Sequence, residues 1–278
     1  MLIRTITGAI LVALAVPLLI FSHTLAFPIA LAVLGVVALF ELFRCTGVLK
    51  NIFLTAPFYL FAIVMPYFVY ASDGVESFAP GALFGAFLLL LISFAASVFS
   101  KGALPLDRMA ISAFAGLYIC LAFSALQGVR NFDCGLWVWL IMFAGTIFTD
   151  IFAYLFGRAF GKHKLIEDVS PKKTVEGSIG GSIMCMLMTV GLGVLFAHVV
   201  PDVVMHPVRL VFLGLVVALV SQLGDLLMSL IKRHFGIKDY GKIFPGHGGV
   251  LDRFDSLLAV GMAVYIFQSF FPVLELAS

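Results

Sequence analysis

Long apolar runs separated by short polar stretches recur along this chain at about the length needed to cross a bilayer. A hydrocarbon core about 30 Å thick takes roughly 20 helical residues. Apolar windows on that scale fall near 7–21, 26–43, 52–71, 81–99, 109–127, 135–156, 178–200, 207–231 and 250–272. The pattern predicts nine membrane spans joined by short loops. Two windows are not uniformly apolar: 135–156 carries Asp150, and 207–231 carries Ser221 and Asp225. A helix facing only lipid does not tolerate such groups, so both are expected to turn a polar side to an interior cavity.

Composition supports this reading and excludes soluble functions. Hydrophobic residues make up 62% of the 278 positions and the mean hydropathy is +1.15, whereas soluble domains are about half apolar. The expected fold class is all-α: a polytopic membrane protein of about nine helices with a cytoplasm-facing polar cavity. Residues 1–130 read as an N-terminal transmembrane scaffold of about five helices, because their spans hold few polar residues. Residues 131–278 read as a C-terminal catalytic region of about four helices, within one structural unit. Glu41 interrupts the scaffold's apolar pattern. It is expected to pair with a basic residue such as Arg44 or to sit at the headgroups.

The net charge of +2 hides an asymmetry. With nine alternating spans, 15 of the 17 basic residues fall on one side, leaving only Arg130 and Arg209 on the other. Lys and Arg concentrate on the cytoplasmic side, so the N terminus and the polar loops 157–177 and 232–249 are expected there. An anionic lipid or a nucleotide would be drawn to that face. The first run, preceded by Arg4, is expected to be an uncleaved span. Cys45, Cys120, Cys134 and Cys185 show no CxxC or His/Cys metal spacing, so no disulfide framework is implied.

Polar chemistry concentrates at 221–256, which holds four acidic and five basic residues in an otherwise apolar chain. Ser221, Asp225, Ser229 and Lys232 recur at spacings of 4, 4 and 3, one face of a helix. The run PGHGG at 245–249 cannot be helical, because Pro245 restricts its neighbour and the glycines free the backbone. Its amides and the following helix N terminus are candidate holders of phosphate oxygens, with His247 as a donor or acid. Asp252, Asp255 and Ser256 open that next helix. Carboxylates beside an anion site require a cation. Magnesium takes one or two carboxylates together with substrate phosphates, so Asp225 and Asp252 are expected to converge on one or two metal ions. In the other polar loop, Lys172 and Lys173 follow Pro171 in an extended or turn stretch and are suited to phosphates as point charges. Ser178, Gly180 and Gly181 then permit close helix packing. No soluble nucleotide-binding motif and no nucleic-acid partner is indicated.

The run SLIKRHFGIKDYGKIFPGHGGVLDRFDS resembles the signature of the phosphatidate cytidylyltransferases, which joins S-x-x-KR-x(4)-KD to PGHGG-x-x-DR-x-D. The matching positions are Ser229, Lys232, Arg233, Lys238, Asp239, Pro245 to Gly249, Asp252, Arg253 and Asp255. The loop ending in SPKKTVEG is similar to the same family's SPKKTWEG motif and the stretch before it. Thr149 stands for a serine, Phe152 for a glycine and Val175 for the tryptophan. The resemblance covers about residues 145–260.

It implies transfer of a cytidylyl group from CTP to phosphatidate, giving CDP-diacylglycerol and pyrophosphate for phospholipid synthesis, with Mg²⁺ required. On that basis Asp225 and Asp252 are expected metal ligands, with Asp255 auxiliary. Lys172, Lys173, Lys232, Arg233 and Arg253 are expected to bind phosphates beside Ser221 and Ser229, while His247, Gly248 and Gly249 shape a triphosphate loop. Asp150 is expected to line the lipid's cavity. The resemblance also implies membrane lipids and a homodimer partner, at a bacterial inner membrane. Competing readings are a CTP-dependent enzyme acting on polyprenyl or archaeal-type lipids, including a lipid kinase, and an ion-coupled transporter.

Overall fold

The computed structural model describes Gly8, Ala13 and residues 15–72, 78–100 and 105–276. Eight helices follow in order: α1 (Ala26–Thr46), α2 (Ile52–Ala71), α3 (Phe78–Phe99), α4 (Leu106–Asn131), α5 (Gly135–Phe160), α6 (Val175–Val199), α7 (Pro207–His234) and α8 (Leu251–Phe270). Between them lie only short strands, β1 (Lys164–Ile166), β2 (Ser170–Thr174), β3 (Val203–Met205) and β4 (Leu274–Leu276). The all-α class expected from the apolar pattern is the one observed. Among the described residues, seven helices, α1 to α7, are long and apolar enough to cross a membrane. The eighth, α8, opens on Asp252, Arg253 and Asp255. Within the first expected span, 7–21, the described residues Gly8, Ala13 and 15–20 are helical, while the rest of its first half, together with Arg4 and Lys101, lies outside the described residues. Several helices overrun their apolar windows, because charged side chains do not end a helix: α7 continues through Lys232 and Arg233 to His234.

The chain forms two compact units, residues 1–128 with 234–254, and residues 129–233 with 255–278. In the first, α1 stops at Gly47, whose φ of 81° is left-handed and costs a glycine little. Asn51 then caps α2 by accepting from the Leu54 amide at 3.2 Å. Leu39, Leu42, Phe43, Phe58 and Phe123 are fully buried. Phe43 meets Phe58 edge-on at 5.7 Å, and Ser112 of α4 donates to Thr46 Oγ1 at 2.8 Å. The segment 234–254 joins this unit through side chains far back in sequence: Arg108 stands over the Phe235 ring at 5.9 Å, and Phe123 packs on Phe254 at 5.7 Å.

In the second unit, small residues let α5 and α6 approach closely. A Cβ at Gly181 would meet the Thr149 carbonyl oxygen at 2.7 Å, and one at Gly180 would run into Phe156. This is the close packing anticipated for the glycine pair, and bare glycine surfaces are how membrane helices gain dispersion contacts. The 157–177 loop folds into an antiparallel hairpin of β1 and β2. Thr174 caps α6 by accepting from the Gly177 amide at 3.2 Å, and Glu176 reaches back to the Lys162 and His163 amides and to His163 Nδ1. A second antiparallel pair, β3 with β4, ties Val203 to Leu276.

These contacts set a stability test. Gly181→Ala is expected to destabilise the folded protein by about 1–3 kcal/mol, because a backbone carbonyl cannot step aside for the new methyl. Gly191→Ala, where a Cβ meets nothing within 4 Å, is expected to be neutral or to stabilise by up to about 1 kcal/mol. Melting temperatures of the two variants in detergent, compared with the parent, check both.

Candidate active site

The polar stripe on α7 is real and faces inward. Ser221 and Ser229 are buried and Lys232 is 8% exposed, whereas Leu223 and Leu230 on other faces of the same helix are 63% and 51% exposed. Asp225, in the middle of the stripe, receives Lys173 Nζ from β2 at 2.5 Å. Ser229 Oγ donates to the other oxygen of the same carboxylate at 3.4 Å. The hairpin therefore does more than anchor a loop at a charged surface: it carries an ammonium to the carboxylate of the neighbouring helix. Lys172 lies beside it on β2, in the extended geometry expected after Pro171.

Around this pair the second unit gathers further charge. Asp255 of α8 lies within electrostatic reach of Asp225, Lys232 and Asp150, and its Oδ1 accepts from the Ser256 amide at 2.8 Å. Asp150 in turn feels both Lys173 and Asp225. Close approach is built into the backbone, because Gly224 packs against the Asp255 carbonyl and Ala259, where a Cβ would collide. Lys173 and Asp225 form the ion pair of this region, and Asp150, Asp255 and Lys232 act on it or on one another electrostatically. Ser221 Oγ, fully buried, has no hydrogen-bond partner within the protein.

The three departures from the resembled motif lie on α5 and at the start of α6. Phe152 stacks on Phe148 at 5.8 Å in an aromatic row that continues to Phe156 and Phe160 along α5. Val175 is the first residue of α6 and is 37% exposed. Thr149 keeps its hydroxyl satisfied by the Gly145 carbonyl at 2.8 Å.

In the first unit, residues 238–253 form the glycine loop. Gly246 and Gly248 adopt φ of 78° and 86°, and the chain closes on itself between Phe244 and Gly248. The PGHGG run makes a tight turn here because only glycine enters the left-handed region without strain. Lys238, Asp239, Lys242, Phe244, His247 and Arg253 line a polar pocket of about 650 Å³. His247 Nδ1 is buried there without a protein hydrogen-bond partner. The pocket thus offers three cationic side chains and one unsatisfied imidazole nitrogen.

One expectation needs correction. The amides at the start of α8 do not wait for a phosphate: Asp252 Oδ2 accepts from Gly249 at 3.0 Å and from Tyr240 at 2.7 Å. Glu41 accepts from Val250 at 3.1 Å and Leu251 at 2.9 Å. The positive end of the helix is neutralised by the protein's own carboxylates. These amides are not free for a phosphate, whereas Lys238, Lys242 and Arg253 line the pocket beside them. Glu41 has the expected Arg44 within electrostatic reach but does not sit at the headgroups. It is 1% exposed and its oxygens serve loop amides, while Arg44 donates to the Tyr240 carbonyl. The residue order marks Glu41 as a lone carboxylate in an apolar window but gives no sign of its amide partners. It also leaves Lys242 without a role.

Asp225 belongs to the second unit's cluster and Asp252 to the first unit's loop. Among the described residues no three His, Cys, Asp or Glu side chains gather as a ready-made metal cage. The donors present are carboxylate oxygens, the hard type that magnesium takes one or two at a time.

Comparison with known proteins places these features in a family. The model of the cytidylyltransferase family matches residues 2–271. The phosphatidate cytidylyltransferase of Bacillus subtilis (strain 168) is 33% identical over 276 residues, covering 96% of this chain and 97% of that protein. The protein of that name from Staphylococcus epidermidis (strain ATCC 12228) is 34% identical over 258 residues, 93% of this chain and 95% of that protein. The one from Staphylococcus aureus (strain COL) is 42% identical over 164 residues, 59% of this chain and 60% of that protein.

The loop's internal bonds set a second test. Asp252→Ala strips the acceptor from two buried amides, each costing about 1–3 kcal/mol when left unsatisfied, and is expected to expose the 236–249 segment to protease. Asp252→Asn keeps an acceptor oxygen and is expected to stay resistant. Limited proteolysis of the detergent-solubilised protein, read by mass spectrometry, separates the two.

Proposed function

Because the chain belongs to the cytidylyltransferase family and is an integral membrane nucleotidyltransferase, we propose that it transfers a cytidylyl group from CTP to phosphatidate. A phosphate oxygen of phosphatidate forms a bond to the α-phosphorus of CTP, the α–β phosphoanhydride bond breaks, and pyrophosphate leaves with its electron pair. The products are CDP-diacylglycerol and pyrophosphate. The observation that carries this reading is the cationic pocket at Lys238, Lys242, His247 and Arg253 in a chain matched almost end to end by phosphatidate cytidylyltransferases. Its volume lies in the range of about 300–1,000 Å³ usual for small-molecule sites.

Each group has a task. The phosphate monoester of phosphatidate is already largely ionised near neutral pH, so no strong general base is required and the protein's main work is charge neutralisation and positioning. Lys238, Lys242 and Arg253 hold triphosphate oxygens, and His247 donates to one of them while Gly248 and Gly249 let the turn close. Lys172, Lys173, Lys232 and Arg233 neutralise the lipid phosphate and the departing charge. Ser221 and Ser229 contribute hydroxyls beside them. Asp150 lines the path of the lipid headgroup, the acyl chains remaining in the bilayer.

Asp225 and Asp252 are magnesium ligands in this reading, with Asp255 auxiliary. The metal, when bound, offsets charge on the phosphates. Support comes from the carboxylate chemistry of these positions and from the need to balance a polyphosphate beside acidic side chains. The enzyme is placed in a bacterial inner membrane with its N terminus and site on the cytoplasmic face, a reading supported by the one-sided distribution of basic residues.

The test uses purified protein in detergent with CTP, phosphatidate and Mg²⁺. Pyrophosphate and a CDP-lipid are expected together, and chelation of the metal is expected to stop both. A phosphorylated lipid with CDP release would instead mark a kinase, and absence of product across metals and lipids would overturn the reading. Asp225→Asn and Asp252→Asn are each expected to lower turnover by orders of magnitude while the protein elutes as a folded species on size exclusion. Near-normal turnover in either would remove that residue from the metal set.

A further inference from the structure

Glu41 stands in the apolar helix α1 and is 1% exposed. A buried carboxylate is costly unless protein donors answer it. Its donors are the amide just before α8 and the one that opens it: Val250 serves Oε1 at 3.1 Å and Leu251 serves Oε2 at 2.9 Å. The carboxylate thus straddles the helix start as a fork, more than 200 residues away in sequence from the atoms it binds.

Its surroundings are shaped for it. Gly241 and Gly249, on the two legs of the loop, both pass against this carboxylate, and a Cβ on either would collide with Oε1. One turn along α1, Arg44 donates to the Tyr240 carbonyl, and the Tyr240 amide goes to Asp252. The legs at 240–241 and 249–251 are therefore pinned by side chains of α1 and α8. The stretch between them carries Lys242 and His247 into the pocket. Because Glu41 already occupies the positive end of α8, an incoming phosphate is kept from that end and directed to the cationic side chains.

We propose that Glu41 is a positioning residue for the nucleotide: it fixes the glycine loop so that Lys242 and His247 face the triphosphate, without touching the substrate itself. This rests on the assignment of the pocket to CTP. A cap that only stabilised the fold would lower the melting temperature and leave substrate affinities alone, or weaken both substrates alike. A positioning role weakens CTP alone.

The experiment compares the full-length protein with Glu41→Gln and Glu41→Asp in detergent. CTP affinity is measured by calorimetry without lipid, and KM by steady-state kinetics for CTP and for phosphatidate separately. Glu41→Gln replaces one acceptor by an amide donor, and about a tenfold weaker CTP affinity and higher CTP KM are expected, the size of effect that follows loss of one charge-assisted hydrogen bond. The phosphatidate KM is expected to stay within about twofold of the parent, since its contacts are not altered. Glu41→Asp, which keeps the charge, is expected to fall between. Gly249→Ala gives an independent arm should the Gln variant not fold: its methyl pushes on the carboxylate and is expected to weaken CTP in the same selective way. Unchanged CTP affinity in the folded variants, or equal weakening of both substrates, overturns the proposal while leaving the CTP reading intact. A parent protein that does not bind CTP overturns both.

Discussion

A carboxylate placed in an apolar helix must find donors, and in this chain Glu41 finds them at the Val250 amide just before α8 and the Leu251 amide that opens it. That interaction explains why residues 234–254, distant in sequence, fold with the N-terminal helices. It also explains the glycines at 241 and 249, because the loop's legs pass so close to the carboxylate that no side chain fits between. The open polar pocket at Lys238, Lys242, His247 and Arg253 is what such pinning leaves. The N-terminal helices and this pocket thus belong to one compact unit, although they lie far apart in the chain.

The second unit meets the same constraint differently. Asp225 in α7 is answered by Lys173, delivered by a hairpin between α5 and α6. Asp150, Asp255 and Lys232 join the same electrostatic neighbourhood. In the apolar interior, where opposite charges interact more strongly than in water, such a cluster stays intact only because each carboxylate has a cation or an amide nearby. A nucleotidyltransferase that works on an anionic lipid and a polyphosphate needs that balance, since each substrate brings charge that the bilayer will not solvate.

Much of this was legible in the chain. The apolar windows foretold α1 to α7 because a bilayer sets their length, and the spacing of Ser221, Asp225, Ser229 and Lys232 foretold the inward stripe because helical periodicity is local. Pro245 and the glycines foretold the tight turn for the same reason. The glycine pair at 180 and 181 foretold close helix contact, borne out against Phe156 and Thr149. Glu41 escaped because its partners are backbone amides far along the chain, and an amide has no letter in a sequence. The use of the Gly249 to Leu251 amides escaped for the same reason: phosphate and carboxylate are equivalent answers to a helix start, and periodicity does not choose between them.

An all-α membrane protein, the places where polar residues interrupt its spans, and the family it resembles can all be read along the chain, since hydropathy, helical spacing and a run of matching motif residues are properties of neighbours in sequence. Which carboxylate answers which donor emerges in three dimensions alone: Glu41 meets the start of α8, Asp252 the loop amides, Asp225 the hairpin lysine. Those pairings join residues whose separation in sequence carries no information about their separation in space, and each gives a carboxylate among apolar helices the donor or cation that its charge requires.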